Sequence, residues 1–168
     1  GEETQSFEQE FAAHEGSEHG VACASGSDAL YLALRALTIG PGGIVATVAN
    51  SFVATAESIV RTGAELTFVD VDEASQCMDP ADLYRLLYEP GAERLRAIIP
   101  VHLYGRRSNI AALQRVLDLA GRSDIDILVD AAQAHGSPSV AAETPITIYS
   151  FYPAKNLGAL GDGGMVLT

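Results

Sequence analysis

The chain has 168 residues, with 10 Lys+Arg against 22 Asp+Glu and a formal net charge of −12. Apolar residues make up 48% and charged residues 19%, which excludes disorder and fits one globular domain with a sizeable core. The acidic balance, with a pI near 4.5, excludes a phosphate-backbone binder: no excess of cations offsets repulsion from nucleic acid or an anionic membrane.

The amino end, Gly1 to Glu10, is acidic and polar and is no signal peptide. No apolar run approaches the ~20 residues that span a bilayer. A short apolar run then enters Ala24-Ser25-Gly26-Ser27-Asp28, and a helical run, Ala29–Leu37, leaves it. Ile44–Val48 and Leu66–Val71 read as strands. Asp79-Pro80 opens a helix, Asp79 as the cap and Pro80 at the first helical position, with Leu83, Leu86 and Leu87 on one face. Ala97–Val101 is a third strand. From about Ser108 to Ala120 a helix carries Ile110, Leu113, Val116, Leu117 and Ala120 on one stripe, with Gly121 as its stop. Ile125–Val129 and Ile146–Phe151 complete the strands, and Ser137–Glu143 between them reads as a loop. Cys23 and Cys77 lack CxxC spacing, so neither a disulfide framework nor a zinc site is indicated. Both read as buried thiols of a reducing cytosol, and no metal is expected.

Strands alternating with helices predict an α/β fold, a mostly parallel sheet with helices on both faces. Ligands then sit beyond the carboxyl ends of the strands. The GxxxxGK[ST] motif is absent, and the glycines from Gly158 to Gly164 precede a strand in the wrong order for GxGxxG, so they read as a turn. Three places carry more information. Small residues at the helix start after Ala24 leave backbone N–H groups open to an anion such as phosphate, although, taken alone, an ordinary Ser cap explains them better. Asp130 directly follows the apolar strand Ile125–Val129. A buried carboxylate there needs a partner. A cationic ring nitrogen would supply about 4 kcal/mol at 4 Å with an effective dielectric near 20; a turn cap is the alternative. Lys155, past another apolar strand in Ser150-Phe151-Tyr152-Pro153-Ala154-Lys155-Asn156, sits where a lysine can form a Schiff base. Together these are the parts that hold pyridoxal 5'-phosphate.

The sequence resembles the DegT/DnrJ/StrS family of pyridoxal-phosphate-dependent aminotransferases. The collinear segments are FEQEFAAHEG, ASGSDALYLALRAL, ANSFVATAESIVRTGA, FVDVDEASQCMDP, AIIPVHLYG, DAAQAHG and SFYPAKNLGALGDGG. The resemblance implies the large domain of a fold-type-I enzyme, a three-layer fold, over residues 1–168. It places the Schiff-base lysine at Lys155 and the pyridinium partner at Asp130. It assigns phosphate contacts to Gly26, Ser27 and Ser150, ring stacking to Phe52 and the phenolic edge to Gln133. His135 is expected in packing behind the site, His102 as structural, and His14 and His19 at the surface. The implied reaction moves an amino group from glutamate to a nucleotide-linked keto sugar in a cytoplasmic homodimer with shared active sites, Lys155 moving the proton. Gln133 three residues after Asp130 implies amination at C3 of a 6-deoxyhexose, or of a cyclitol.

Family members run to roughly twice this length, so the chain reads as a fragment lacking an amino-terminal segment and a small domain. Gly43-Ile44 stands where an acidic pair is common, and Asn109 where Asp is usual. Two rivals follow. A sugar dehydratase of the same fold would carry His in place of Lys155. A truncated, non-catalytic binding or sensor protein would keep the fold without the reaction.

Overall fold

A computed structural model of the chain describes residues 1–137 and 144–168. Seven strands form one sheet in the order β1-β7-β6-β5-β4-β2-β3. In chain order the elements are α1 (Glu2–Glu15), β1 (Gly20–Cys23), α2 (Gly26–Ala36), β2 (Ile44–Thr47), α3 (Val53–Arg61) and β3 (Glu65–Phe68). They continue with α4 (Pro80–Leu86), a 3-10 turn (Ala92–Arg94), β4 (Leu95–Ile99), α5 (Ile110–Leu119), β5 (Asp126–Asp130), β6 (Ile146–Ser150) and β7 (Gly164–Leu167). The strands from β3 to β6 pair in parallel, and β7 runs antiparallel to both β6 and β1. This is the expected α/β architecture. The predicted loop at Ser137–Glu143 lies, past Ser137, outside the described residues.

The pleat sends alternate residues to opposite layers. Ile44, Ala46, Ile98, Ile127 and Val129 pack with Phe11 of α1, Leu83 of α4 and Leu113 and Leu117 of α5. Val45, Ala97, Ile99, Leu128 and Ile148 pack with Ala29, Leu30 and Leu34 of α2 and Ile59 of α3. The central strands are covered on both faces, which is why several read as almost wholly apolar runs. Asp79 caps α4 as expected, its side chain accepting the Ala81 N–H at 2.9 Å. In α5 the cap is Asn109, which accepts the Ala112 N–H at 3.0 Å. Gly121, at φ 66°, ends that helix in the left-handed region.

One expectation needs correction. Both cysteines are free, but only Cys77 is buried, and Cys23 is half-buried. Cys23 closes β1, an edge strand that one neighbour alone covers. Among the described residues no helix is long and apolar enough to cross a membrane.

Candidate active site

The topology brings one end of the sheet's strands to a single edge. β2, β4, β5 and β6 are parallel, and β1 returns to the same sense through β7. Their carboxyl ends open onto a cavity of about 930 Å³. Every residue assigned to the cofactor in the sequence lines it: Gly26, Ser27, Phe52, Asp130, Gln133, Ser150 and Lys155. The residues come from separate segments, so their convergence is a property of the fold.

Asp130 ends β5 and is 5% exposed. One of its oxygens accepts the Thr55 hydroxyl at 2.8 Å and the other the Ala132 N–H at 3.1 Å. Burial raises its pKa; the Ala132 amide, the Thr55 hydroxyl and the Lys155 charge oppose that. The carboxylate is thus destabilised by desolvation, and its donors are neutral. A cation placed against it would restore the ionised form.

The helix start is built by close approach. Ser25 caps α2, accepting the Asp28 N–H at 3.1 Å, so the cap reading holds. The cap does not exclude an anion, since Ser25 serves one amide of the first turn. Gly26 lies against β6: a Cβ there would meet the Ser150 Cβ at 2.7 Å. A Cβ on Gly164, at the start of β7, would lie 2.2 Å from the Ser25 carbonyl oxygen. Glycine at both places lets α2 dock its amino end between β6 and β7. Ser27 and Ser150 then share the cavity wall with the free end of the helix.

Lys155 is half-buried in the segment between β6 and β7, its N–H donating to the Tyr152 carbonyl at 2.8 Å. It is the chain's sole lysine, since the other nine of its 10 cationic side chains are arginines. Phe52 precedes α3 and is 68% exposed at the cavity. Gln133 is exposed. His135 packs among Phe11, Tyr149 and Phe151, as expected, and burial there lowers its pKa. His14 and His19 are exposed. His102 is buried and lines the cavity, and burial with the Arg107 charge pushes its pKa down to about 4.

Over residues 1–168 the chain matches the DegT/DnrJ/EryC1/StrS aminotransferase family. The chain belongs to this family. It is 41% identical, along its whole length, to the Geobacillus stearothermophilus "pleiotropic regulatory protein", covering 44% of that protein. It is 43% identical to the Acidithiobacillus ferrooxidans UDP-N-acetyl-3-dehydro-alpha-D-glucosamine 3-aminotransferase, again along its whole length, covering 45% of that protein. A solved structure of Streptomyces venezuelae DesV in complex with a ketimine intermediate superposes with a TM-score of 0.88 at 40% identity, over 98% of this chain and 43% of that one. The chain therefore spans less than half the length of the curated relatives it matches. Its three-layer sheet is the fold of these aminotransferases.

Sequence reasoning missed three residues that this family member's cavity brings together. Thr55 is one; it reaches Asp130 across 75 positions, and no local pattern marks it. His102 is another, read as structural although it lines the cavity. Ala132 is the third, and its place two residues after a buried Asp was the available signal.

Proposed function

We propose that the protein carrying this chain is a pyridoxal-phosphate-dependent aminotransferase. It moves an amino group from glutamate to a nucleotide-linked keto sugar for amino-sugar biosynthesis in the cytoplasm. The observation that carries the reading is the meeting, in one cavity, of a buried carboxylate, a solitary lysine and an open helix start. The same set fits the cofactor. Asp130 is a desolvated carboxylate wanting a cation, Gly26 and Ser27 open α2 at the cavity wall, and Lys155 is half-buried in the same wall.

When bound, pyridoxal phosphate supplies a carbonyl carbon for amines and a ring that draws electrons from the substrate carbon. Asp130 holds the protonated ring nitrogen and keeps its charge. Gly26 and Ser27, at the amino end of α2, and Ser150 hold the phosphate, where the helix dipole favours an anion. Phe52 would cover one face of the ring and exclude water, and Gln133 would orient the phenolic edge. Lys155 anchors the cofactor. As a free amine, Lys155 would move the proton at the substrate carbon as general base and acid. Lys155 also favours transamination over the dehydratase alternative, which would carry histidine there. Phe52 and Tyr152 stand 68% and 54% exposed at the cavity. That supports a homodimer in which a second subunit covers them. Gln133 supports a 3-keto-6-deoxyhexose as the acceptor.

Adding pyridoxal phosphate to the protein should give a yellow chromophore that borohydride reduces. Glutamate should convert it in a half-reaction that releases 2-oxoglutarate. A protein that forms no chromophore, or one that glutamate leaves unchanged, would not be this aminotransferase.

A further inference from the structure

Thr55 lies in the first turn of α3, is 1% exposed and borders the cavity. Its hydroxyl oxygen stands 2.8 Å from one Asp130 oxygen and 2.9 Å from the Ser51 hydroxyl. The other Asp130 oxygen accepts the Ala132 N–H at 3.1 Å. A carboxylate has about four lone-pair sites, so these two donors leave room for a third from the cavity. They also fix the plane of the group, one from α3 and one from the turn after β5. A hydroxyl carries a single proton. An ionised Asp130 only accepts, so the Thr55 proton goes to it and the Thr55 oxygen is left to accept from Ser51. The chain then runs one way, Ser51 to Thr55 to Asp130. Both hydroxyls can turn, and a neutral Asp130 would reverse the chain. A hydroxyl bonded to a charged oxygen is, however, about twice as strong a link as one bonded to a neutral oxygen, and each link polarises the next. The chain therefore favours the ionised carboxylate against the burial that opposes it.

We infer that Thr55 is a positioning residue of the cofactor site: its hydroxyl, backed by Ser51, holds the Asp130 carboxylate in place and ionised, so that the proton between them stays on the cofactor's ring nitrogen. The inference rests on the cofactor reading above. Thr55 touches no ligand in this role and acts through Asp130. Without the hydroxyl, the carboxylate has one donor fewer and competes better for the ring's proton. The Thr55 N–H also donates to the Phe52 carbonyl at 3.2 Å. The turn that carries Phe52 to the cavity is thus tied to the carboxylate by the same residue.

The test is NMR of pyridoxal phosphate labelled with 15N at the ring nitrogen and bound to the protein carrying this chain. The chromophore reports occupancy, and a protonated ring nitrogen resonates upfield of an unprotonated one. The parent is compared with Thr55→Ser, which keeps the hydroxyl, and Thr55→Val, which keeps the shape and removes it. The expected result is an upfield signal in the parent and in Thr55→Ser, and a downfield move in Thr55→Val. Should Thr55→Val fail to fold or to bind, Ser51→Ala takes its place. Ser51 is half-buried at the outer end of the chain, and its loss should give a smaller move in the same direction. A bound cofactor whose signal in Thr55→Val, or in Ser51→Ala as its substitute, matches the parent would overturn the inference and leave the cofactor reading in place. So would a Thr55→Ser signal displaced as far as that of Thr55→Val, because packing and not the hydroxyl would then be the cause. No chromophore in the parent would overturn the cofactor reading and this inference with it.

Discussion

Asp130 is buried among neutral donors, the Thr55 hydroxyl and the Ala132 amide. In the proposed function its role is to keep a charge opposite the cofactor's ring nitrogen. Asp130→Ala should therefore retain some cofactor and lose turnover. The half-reaction rate with glutamate, followed by stopped-flow absorbance, should fall at least a hundredfold, about 2.7 kcal/mol of barrier. A variant within tenfold of the parent would remove Asp130 from that role. His102 makes a different prediction, on stability. Its pKa falls from 6.5 in the unfolded chain to about 4 in the fold. Between these values the unfolded state binds more protons, so stability rises with pH across that window. The contribution is complete above pH 6.5 and is lost as pH falls toward 4. It amounts to about 3 kcal/mol. Urea unfolding at pH 7 and pH 4.5 should show this loss in the parent. In His102→Gln the same interval should show a shallower loss, and equal slopes would mean that His102 does not titrate as described.

At the scale of elements, the close docking of α2 between β6 and β7 is the contact most sensitive to a single atom. Gly164→Ala would set a Cβ 2.2 Å from the Ser25 carbonyl oxygen. Backbone cannot yield as a flexible side chain does, so the cost should be about 3 kcal/mol, read as a lower denaturation midpoint. Asp79→Ala, which removes only the α4 cap, should cost about 1 kcal/mol by the same measurement. The strands beneath these helices were legible because β2, β4, β5 and β6 are largely buried and their sequences are mostly apolar. α4 was legible from Asp79-Pro80, and α5 from its stripe and Gly121. Less of the rest was legible. α1 buries only Phe11, Ala12 and Glu15 along 14 residues, too few for a clear periodic face. α3 starts at Phe52 without a side-chain cap. β1, at the edge, has a mixed pattern. For the site, the small residues, the carboxylate and the lysine each announced themselves beside an apolar run. Thr55 and His102 did not, because their partners are set by tertiary contacts.

For the whole molecule, the site exists because five strands end at one edge, and no segment holds it alone. Offered 3-keto and 4-keto sugar nucleotides with glutamate, the protein should aminate the 3-keto substrate preferentially, the new amine being located by NMR. Preference for the 4-keto substrate would contradict the reading of Gln133 and leave the aminotransferase reading in place. In the proposed function this cavity anchors pyridoxal phosphate through Lys155. The most direct test is borohydride reduction of the protein with bound cofactor, followed by peptide mapping. The expected result is a pyridoxyl label on Lys155, within the peptide that follows β6. A label on any other residue, or a reduced protein in which Lys155 is unmodified, would contradict the claim.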